Sequence, residues 1–403
     1  MTDDRIHKGD SDQRESATLF TELADAAQDA ETQADAAQDA ETQADAAQDA
    51  ETQADAEPKM TDPHSTAEPG ATVDGAVARA LVDSPLGERP ASASIEVPAL
   101  GTVLVTGGGG FIGSHLVRAL AACNDVRVLD TFDTGSRSQL PDDVTAIEGD
   151  VRDRSLLSEA ATDVDVIVHL AAQVSVEDSL SDPPASNETN VAATLDVLEL
   201  ARREGARVVL ASSAAIYGDP ASVPVHETDP KRPESPYGVD KLAADNYARV
   251  YGARFDVPVT ALRFFNAYGP GANAGVVKAF TERVLAGDPL LIHGDGEQTR
   301  DFVHVDDVVR ATLAAATTPH TGRAYNVGTG ERISILELAE RLIEEANCSV
   351  PIEHAPPRSG DLEHSLASIQ RARDQLGYEP QVDFDQGLES VLAVAPERSP
   401  DAE

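Results

Sequence analysis

The stretch Gly101-Thr-Val-Leu-Val-Thr106-Gly-Gly-Gly-Gly110-Phe-Ile-Gly113 decides the fold. Its first half is a short apolar, β-branched run of the kind that fills a buried strand. Its second half opens an apolar helix, Phe111–Ala122. Between them lies the pattern T-G-x-x-G-x-x-G. Gly107 permits the tight turn, Gly110 lets backbone approach a pyrophosphate, and Gly113 lets helix pack on strand. Phosphates then meet the helix N-terminus at Phe111 and Ile112, where unpaired N–H groups and the helix dipole favour anions. The flanking strand and helix give the glycines their meaning.

Outward from this loop, strands expected at Val126–Leu129, Val144–Ile147, Val164–His169 and Val208–Ala211 alternate with helices, of which Glu188–Glu204 stops at Gly205. That alternation predicts an α/β fold, a doubly wound parallel sheet of Rossmann type over residues 100–265. Helices at Ala279–Ala286, Asp306–Ala316 and Ile335–Ala346 among shorter strands predict a smaller C-terminal α/β substrate lobe over 266–394, with segments returning to the sheet. Asp130 ends the second strand, 23 residues after Gly107. A carboxylate there accepts from both ribose hydroxyls and repels a 2′-phosphate, so NAD is expected rather than NADP. Asp150 ends the third strand and is a weaker candidate for the adenine amino group.

Ser235-Pro-Tyr237-Gly-Val-Asp-Lys241 starts a helix, with Ser235 suited to the N-cap and Pro236 to the first turn. Tyr237 and Lys241 share a face, and Leu242, Ala243, Tyr247 and Val250 are expected on the apolar side. A lysine near a phenol, with a nicotinamide cation beside it, is expected to lower the phenol pKa toward a usable base. The strand VVLASS, Val208–Ser213, delivers Ser213 to the carboxyl edge of the sheet, where ligands bind.

Composition bounds the partners. Lys+Arg is 31 against Asp+Glu 71, a net charge of −40. That excludes the basic footprint of nucleic-acid binding and argues against anionic membranes. The 23 acids and 6 bases of Met1–Ala99 leave 48 acids and 25 bases in the remainder, so the folded part is acidic too. With five lysines and 26 arginines, the chain has the character of halophilic proteins, for which molar salt shortens the Debye length to ~3 Å. No apolar run reaches membrane-spanning length and the start, Met1–Asp10, is charged, so a cytoplasmic location is expected. Cys123 and Cys348 make neither a disulfide framework nor a four-ligand zinc site; both are expected as small buried residues, and no metal is expected. Residues 1–95 hold the decapeptide ADAAQDAETQ three times in register from Ala24, then a Pro/Gly-rich linker. Alanine alone builds no core, so a disordered acidic tail is expected there, with a short tail at 395–403.

Eight ordered motifs resemble the extended short-chain dehydrogenase/reductase family: TGGGGFIGSHL (106–116), HLAAQVSVEDS (169–179), ASSAAIYGDP (211–220), SPYGVDK (235–241), LRFFNAYGP (262–270), GDGEQTRDFVHVDD (294–307), YNVGTG (325–330) and PRSGDLEHS (357–365). Within it they are most similar to UDP-glucose 4-epimerases. The resemblance implies proton handling by Ser213 and Tyr237, with Lys241 on the cofactor ribose. It adds Val151, Leu170, Ala171 and Ala172 to the cofactor wall and puts Asn190 on the nicotinamide side. It gives the substrate diphosphate to Asn266, Arg300 and Arg358, the nucleoside ribose to Asp361, and the base to Leu291 and His293. Bidentate guanidinium–phosphate pairing makes the arginine roles reasonable.

Dehydratases of this family carry Asp-Glu after the strand-end Thr/Ser, and decarboxylases a Glu; this chain has Ala214 and Ala215, which transfer no proton. The resemblance then implies hydride transfer and return at C4 of a UDP-sugar, through a 4-keto sugar. Ser365, where relatives restricted to unmodified hexoses often carry tyrosine, leaves volume for an N-acetyl group. The segment Gly269-Pro-Gly-Ala-Asn-Ala-Gly275 is short and lacks the Arg or Gln that commonly follows Gly-Pro. A net sugar dehydrogenase and a non-catalytic nucleotide-binding regulator stay open as alternatives. A homodimer through Glu188–Glu204 and Tyr237–Arg254 is the family-level expectation.

Overall fold

A computed structural model describes residues 95–394, Ser359 and Asp361 excepted. The expected acidic tail, the 395–403 segment and the Asp361 assignment therefore lie outside the described residues, apart from residue 95 itself.

The opening strand, β1, runs Thr102–Thr106, and its residues alternate between two cores. Val103 and Val105 face helices Phe111–Leu120 and Val305–Thr317, whereas Leu104 faces helices Arg154–Ala160, Ala193–Glu204 and Pro236–Phe255. A strand buried on both faces needs a continuous apolar run, and this one has it. Strands β2 (Asp125–Asp130), β3 (Thr145–Glu148), β4 (Val166–His169), β5 (Arg207–Ser213) and β6 (Val259–Phe264) join it. With strand Arg323–Val327 they form a seven-stranded parallel sheet, ordered 323–327, β6, β5, β4, β1, β2, β3. The order reverses between β1 and β4, so the crevice outside their carboxyl ends is the switch point at which such sheets take ligands.

A third core belongs to the smaller lobe: Tyr268, Phe280, Leu290, Ile292, Phe302, Leu338 and Leu342 pack together with Leu388 of helix Phe384–Val394. Three two-stranded sheets frame it: Phe302–His304 with Asn266–Tyr268, Ile333–Ser334 with Thr299–Arg300, and Ile352–Ala355 with Leu290–His293. Among the described residues no helix is long and apolar enough to cross a membrane.

Three expectations need correction. The Glu188–Glu204 helix opens with a π-type turn, Glu188–Ala192, before α-helix resumes at Ala193. In Pro236–Phe255 the buried positions are Gly238, Asp240, Lys241, Ala244, Asp245, Ala248 and Tyr251, while Tyr247 and Val250 are exposed. Its buried faces carry charges that strands β5 and β6 and the short helix Pro183–Asn187 satisfy, which periodicity in the helix alone does not reveal. Cys123 is exposed and Cys348 half-buried, because the first lies in the turn after its helix rather than on an apolar face.

Candidate active site

The glycine loop is shaped by close approach. A Cβ on Gly107, whose φ is +72°, would lie 2.6 Å from the Ala171 nitrogen, and one on Gly113 would lie 2.2 Å from the Gly107 carbonyl oxygen. Gly107 is thus pressed on the segment after β4, and Gly113 seats the helix on the turn. Helix Phe111–Leu120 begins at Gly110 with no side-chain cap and no acid in its first turn. Its first N–H groups and dipole suit an anion.

Asp130 sits beside this turn. Its Oδ2 accepts from Gly109 N at 2.8 Å and its Oδ1 from Phe132 N at 2.7 Å. Each oxygen keeps a second lone pair for ribose hydroxyls, so cradle and carboxylate fit an adenine dinucleotide. Asp150 pairs with Arg152, with contacts of 2.5–3.0 Å, and the guanidinium holds its carboxyl below the ordinary range. Val151 is buried beside it.

The loop Leu170–Gln173 forms the opposite wall. Leu170 N donates to the Thr106 carbonyl at 3.0 Å, and Ala171 N reaches Thr106 Oγ1 at 3.4 Å. Asn190, buried in the π-type turn, receives Gln173 N on its Oδ1 at 2.9 Å and donates Nδ2 to the Gln173 carbonyl at 3.0 Å. Its amide shapes the wall, a role the nicotinamide-side expectation had not included. Thr106 and His169 were missed altogether. Thr106 Oγ1 and His169 Nδ1 are 2.7 Å apart, and His169 Nε2 is 3.1 Å from Thr194 Oγ1. Burial, with Lys241 nearby, pushes His169 down to about 3 and keeps it neutral.

At the end of β5, Ser213 Oγ accepts from Ala215 N at 3.1 Å. Ser235 caps the next helix, accepting from Gly238 N at 3.2 Å. That places Tyr237 within hydrogen-bond reach of Ser213 and puts Lys241 Nζ 5.9 Å from the Tyr237 ring centre. Lys241 is 6 % exposed and donates to the Ala211 carbonyl at 2.9 Å. Burial pushes Tyr237 up against the hydrogen bond from Ser213, while burial brings Lys241 down to about 8.

The substrate candidates come together from both lobes. A cavity of about 200 Å³ is lined by Ser213, Ala214, Ala215, Tyr217, Asn266, Arg300 and Ser365. A neighbouring cavity of about 560 Å³ shares Asn266 and Arg300 and adds Leu291, His293 and Arg358. Asn266 donates Nδ2 to the Asp301 carbonyl at 3.1 Å, and Arg300 donates to the Leu362 carbonyl at 2.8 Å. Arg358 is exposed and Ser365 buried. His293 Nδ1 lies 3.1 Å from the Pro356 carbonyl. Tyr217, on the wall of the smaller cavity, was not anticipated either. Its hydroxyl donates to Asn326 Oδ1 and accepts from Arg263, which is buried against Asp245 at 2.8 Å.

The sequence model of the "NAD dependent epimerase/dehydratase family" matches residues 103–328. A UDP-glucose 4-epimerase of Mycolicibacterium smegmatis is 39% identical over 302 residues, covering 72% of this chain and 96% of that protein. Among solved structures, UDP-glucose 4-epimerase of Thermotoga maritima with UDP-glucose superposes with a TM-score of 0.70 at 36% identity, over 73% of this chain and 97% of that one. UDP-N-acetylglucosamine 4-epimerase of Methanobrevibacter ruminantium, in complex with UDP-N-acetylmuramic acid, gives 0.69 at 32%, over 73% and 96%. A dTDP-glucose 4,6-dehydratase of Streptomyces venezuelae with NAD bound also gives 0.69 at 32%, over 73% and 96%. The fold is therefore shared by relatives of different chemistry.

Proposed function

The chain belongs to the NAD dependent epimerase/dehydratase family and takes NAD as its cofactor, and from that premise we propose that it is an enzyme that epimerises a UDP-hexose at C4. The observation that carries this reading is the junction of the two cavities at Asn266 and Arg300. A diphosphate held there would send its nucleoside toward Leu291 and His293, with Arg358 at the rim, and its sugar toward Ser213 and Tyr237. Charge-assisted hydrogen bonds from guanidinium groups are strong enough to anchor a diphosphate while the sugar is free to turn.

NAD held by the Gly107–Gly113 turn and Asp130 would supply a reversible hydride acceptor for the sugar. The remaining work falls to side chains. Tyr237 takes the C4 hydroxyl proton and gives it back, and Ser213 hydrogen-bonds the same oxygen. Lys241 supplies the positive charge that favours the phenolate. Ala214 and Ala215 line the sugar cavity and carry no proton. Dehydration or decarboxylation would need an additional acid or base at that place, so epimerisation is favoured over the chemistry of the dehydratase relative. The buried Ser365 supports room for an N-acetyl group, making UDP-GlcNAc and UDP-GalNAc candidate substrates beside UDP-glucose and UDP-galactose.

A homodimer is part of the proposal. Val239, Tyr247, Val250 and Phe255 of the Tyr237 helix and Val174, Val176 and Leu180 before the Asn190 turn are exposed apolar side chains that a second copy would cover. The deciding experiment is a panel of UDP-sugars with catalytic NAD in molar KCl, followed by product identification. Conversion of no UDP-sugar sinks the proposal. Stoichiometric NADH release would replace it with a net dehydrogenase.

A further inference from the structure

Behind the wall that Tyr217 forms in the smaller cavity, one buried guanidinium ties together the elements that carry the site. Arg263, on β6, donates Nε to Asp245 Oδ2 at 2.8 Å. Its Nη1 donates to the Tyr217 hydroxyl at 2.8 Å and to the Glu227 carbonyl at 3.0 Å. Asp245, Tyr217 and Glu227 are buried as well. The Tyr217 hydroxyl donates onward to Asn326 Oδ1 at 2.7 Å, and Glu227 Oε1 accepts from Asn326 N at 3.0 Å, which closes the cluster.

Each contact leads back to a residue of the site. Asp245 stands one turn beyond Lys241 and two beyond Tyr237, on the same side of helix Pro236–Phe255. Tyr217 follows Ser213 through the short turn Ala214–Ile216, closed by its own N–H on the Ala214 carbonyl at 3.1 Å. Across the sheet Arg263 pairs with Ser212 and Phe264 with Ser213, and Asn266 comes just after them in the chain. The start of the catalytic helix meets the same turn: a Cβ on Gly238 would lie 2.8 Å from the Ala215 carbonyl oxygen. Helix and turn therefore touch at Gly238 and are braced again, two helical turns later, through Asp245, Arg263 and Tyr217. A helix held at one point can swing; held at two, it keeps Tyr237 at a fixed distance from Ser213.

Stability alone does not call for such a pair. A buried ion pair exchanged for apolar side chains of similar volume is often neutral or stabilising, because desolvation offsets the attraction. What a guanidinium adds is a planar fork whose donors point in fixed directions. We propose that Arg263 is a positioning residue: by bridging Asp245 and Tyr217 it sets the spacing of Tyr237 from Ser213, without touching substrate or cofactor. The consequence for turnover rests on reading Ser213 and Tyr237 as the proton-handling pair.

In the full-length protein, Arg263→Met together with Asp245→Leu removes both charges and leaves neither buried alone. NAD affinity and the denaturant midpoint are expected to stay near wild type. Turnover of a UDP-hexose is expected to fall about 10- to 100-fold, the scale of a misplacement of about 1 Å, with KM changed by less than about threefold. Arg263→Lys keeps the charge, but an ammonium does not reproduce the fork, so turnover is expected to stay about tenfold below wild type. Should the double variant fail to fold, the lysine variant carries the test. Crystal structures of wild type and variant are expected to show the Ser213 Oγ to Tyr237 Oη separation widened beyond hydrogen-bond reach. Wild-type turnover in either variant overturns the proposal, as does a loss of kcat, KM and NAD affinity in step, or an unchanged separation. If the wild-type protein converts no UDP-hexose, the functional reading falls while the Ser213–Tyr237 separation still decides the role of Arg263.

Discussion

The side-chain amide of Asn190 holds the backbone of Gln173 at both its N–H and its carbonyl, at 2.9 and 3.0 Å. One buried side chain therefore fixes the loop that faces the glycine turn across the cofactor crevice. Asn190→Ala removes both bonds and leaves backbone groups to find water. With about 1–3 kcal/mol for buried groups left unmade, NAD affinity should fall roughly tenfold or more. Calorimetric titration with NAD checks this, and unchanged affinity would remove Asn190 from the cofactor wall.

Tyr237→Phe keeps the ring and loses the hydroxyl that meets Ser213. Turnover should drop by about 10²–10⁴, the range for a lost general acid–base. NAD and UDP binding should remain near wild type. Full activity in this variant would refute the assignment of the site.

Arg300 borders both cavities, whereas Arg358 borders the larger cavity alone and is exposed. Losing a charged hydrogen bond in a sheltered place costs about 1.5–3 kcal/mol, and an exposed ion pair is worth about 0–1. Arg300→Ala should thus weaken UDP binding by roughly 10- to 100-fold and Arg358→Ala by a few-fold. Equilibrium binding of UDP at fixed salt distinguishes them. Equal losses would place Arg358 deeper in the site than its exposure suggests.

Ser365 lies buried on the wall of the smaller cavity, beside Ser213. Ser365→Tyr adds a ring to a space of about 200 Å³. The expected result is loss of turnover on N-acetylated sugars with retention on unmodified hexoses, measured as the ratio of kcat/KM for the two. An unchanged ratio would separate Ser365 from substrate choice.

His169 is neutral in the fold because burial pushes it from an ordinary value of 6.5 down to about 3. A depressed value means that its contribution to stability is present above pH 6.5 and is lost as pH falls toward 3. Each such group contributes up to about 1.4 kcal/mol per pH unit in that window. His169→Gln should flatten the acid side of the stability–pH profile obtained by denaturant unfolding, even if its stability at pH 7 is lower. A parallel profile would show that His169 takes up its proton without unfolding.

Much of the site was legible because its requirements are local. A glycine at a positive φ between strand and helix is needed whatever the rest of the chain does, so Gly107 could be read directly. Tyr237 and Lys241 four apart on a capped helix also need nothing distant. The buried face of that helix was misread for the opposite reason. Periodicity pointed to Leu242, Ala243, Tyr247 and Val250; Leu242 does pack on the core, but Tyr247 and Val250 are exposed while Asp240, Lys241 and Asp245 are buried, with partners at Ser186, Ala211 and Arg263 that lie far away in the chain. The Thr106–His169–Thr194 contacts and the Arg263–Tyr217 pair escaped notice for the same reason.

By itself, then, the sequence determined the doubly wound sheet, the dinucleotide loop, the carboxylate at Asp130 and the order in which Ser213, Tyr237 and Lys241 appear. Each follows from short-range sterics, helix period or alternation along a strand. Only the tertiary structure decided that Asn266 and Arg300 join the cavity at Ser213 to the cavity at Leu291 and His293. It also decided that Arg152 pairs with Asp150 and that the Tyr237 phenol is desolvated. Cavities and desolvation arise from the packing of segments remote in sequence, and no local pattern encodes them.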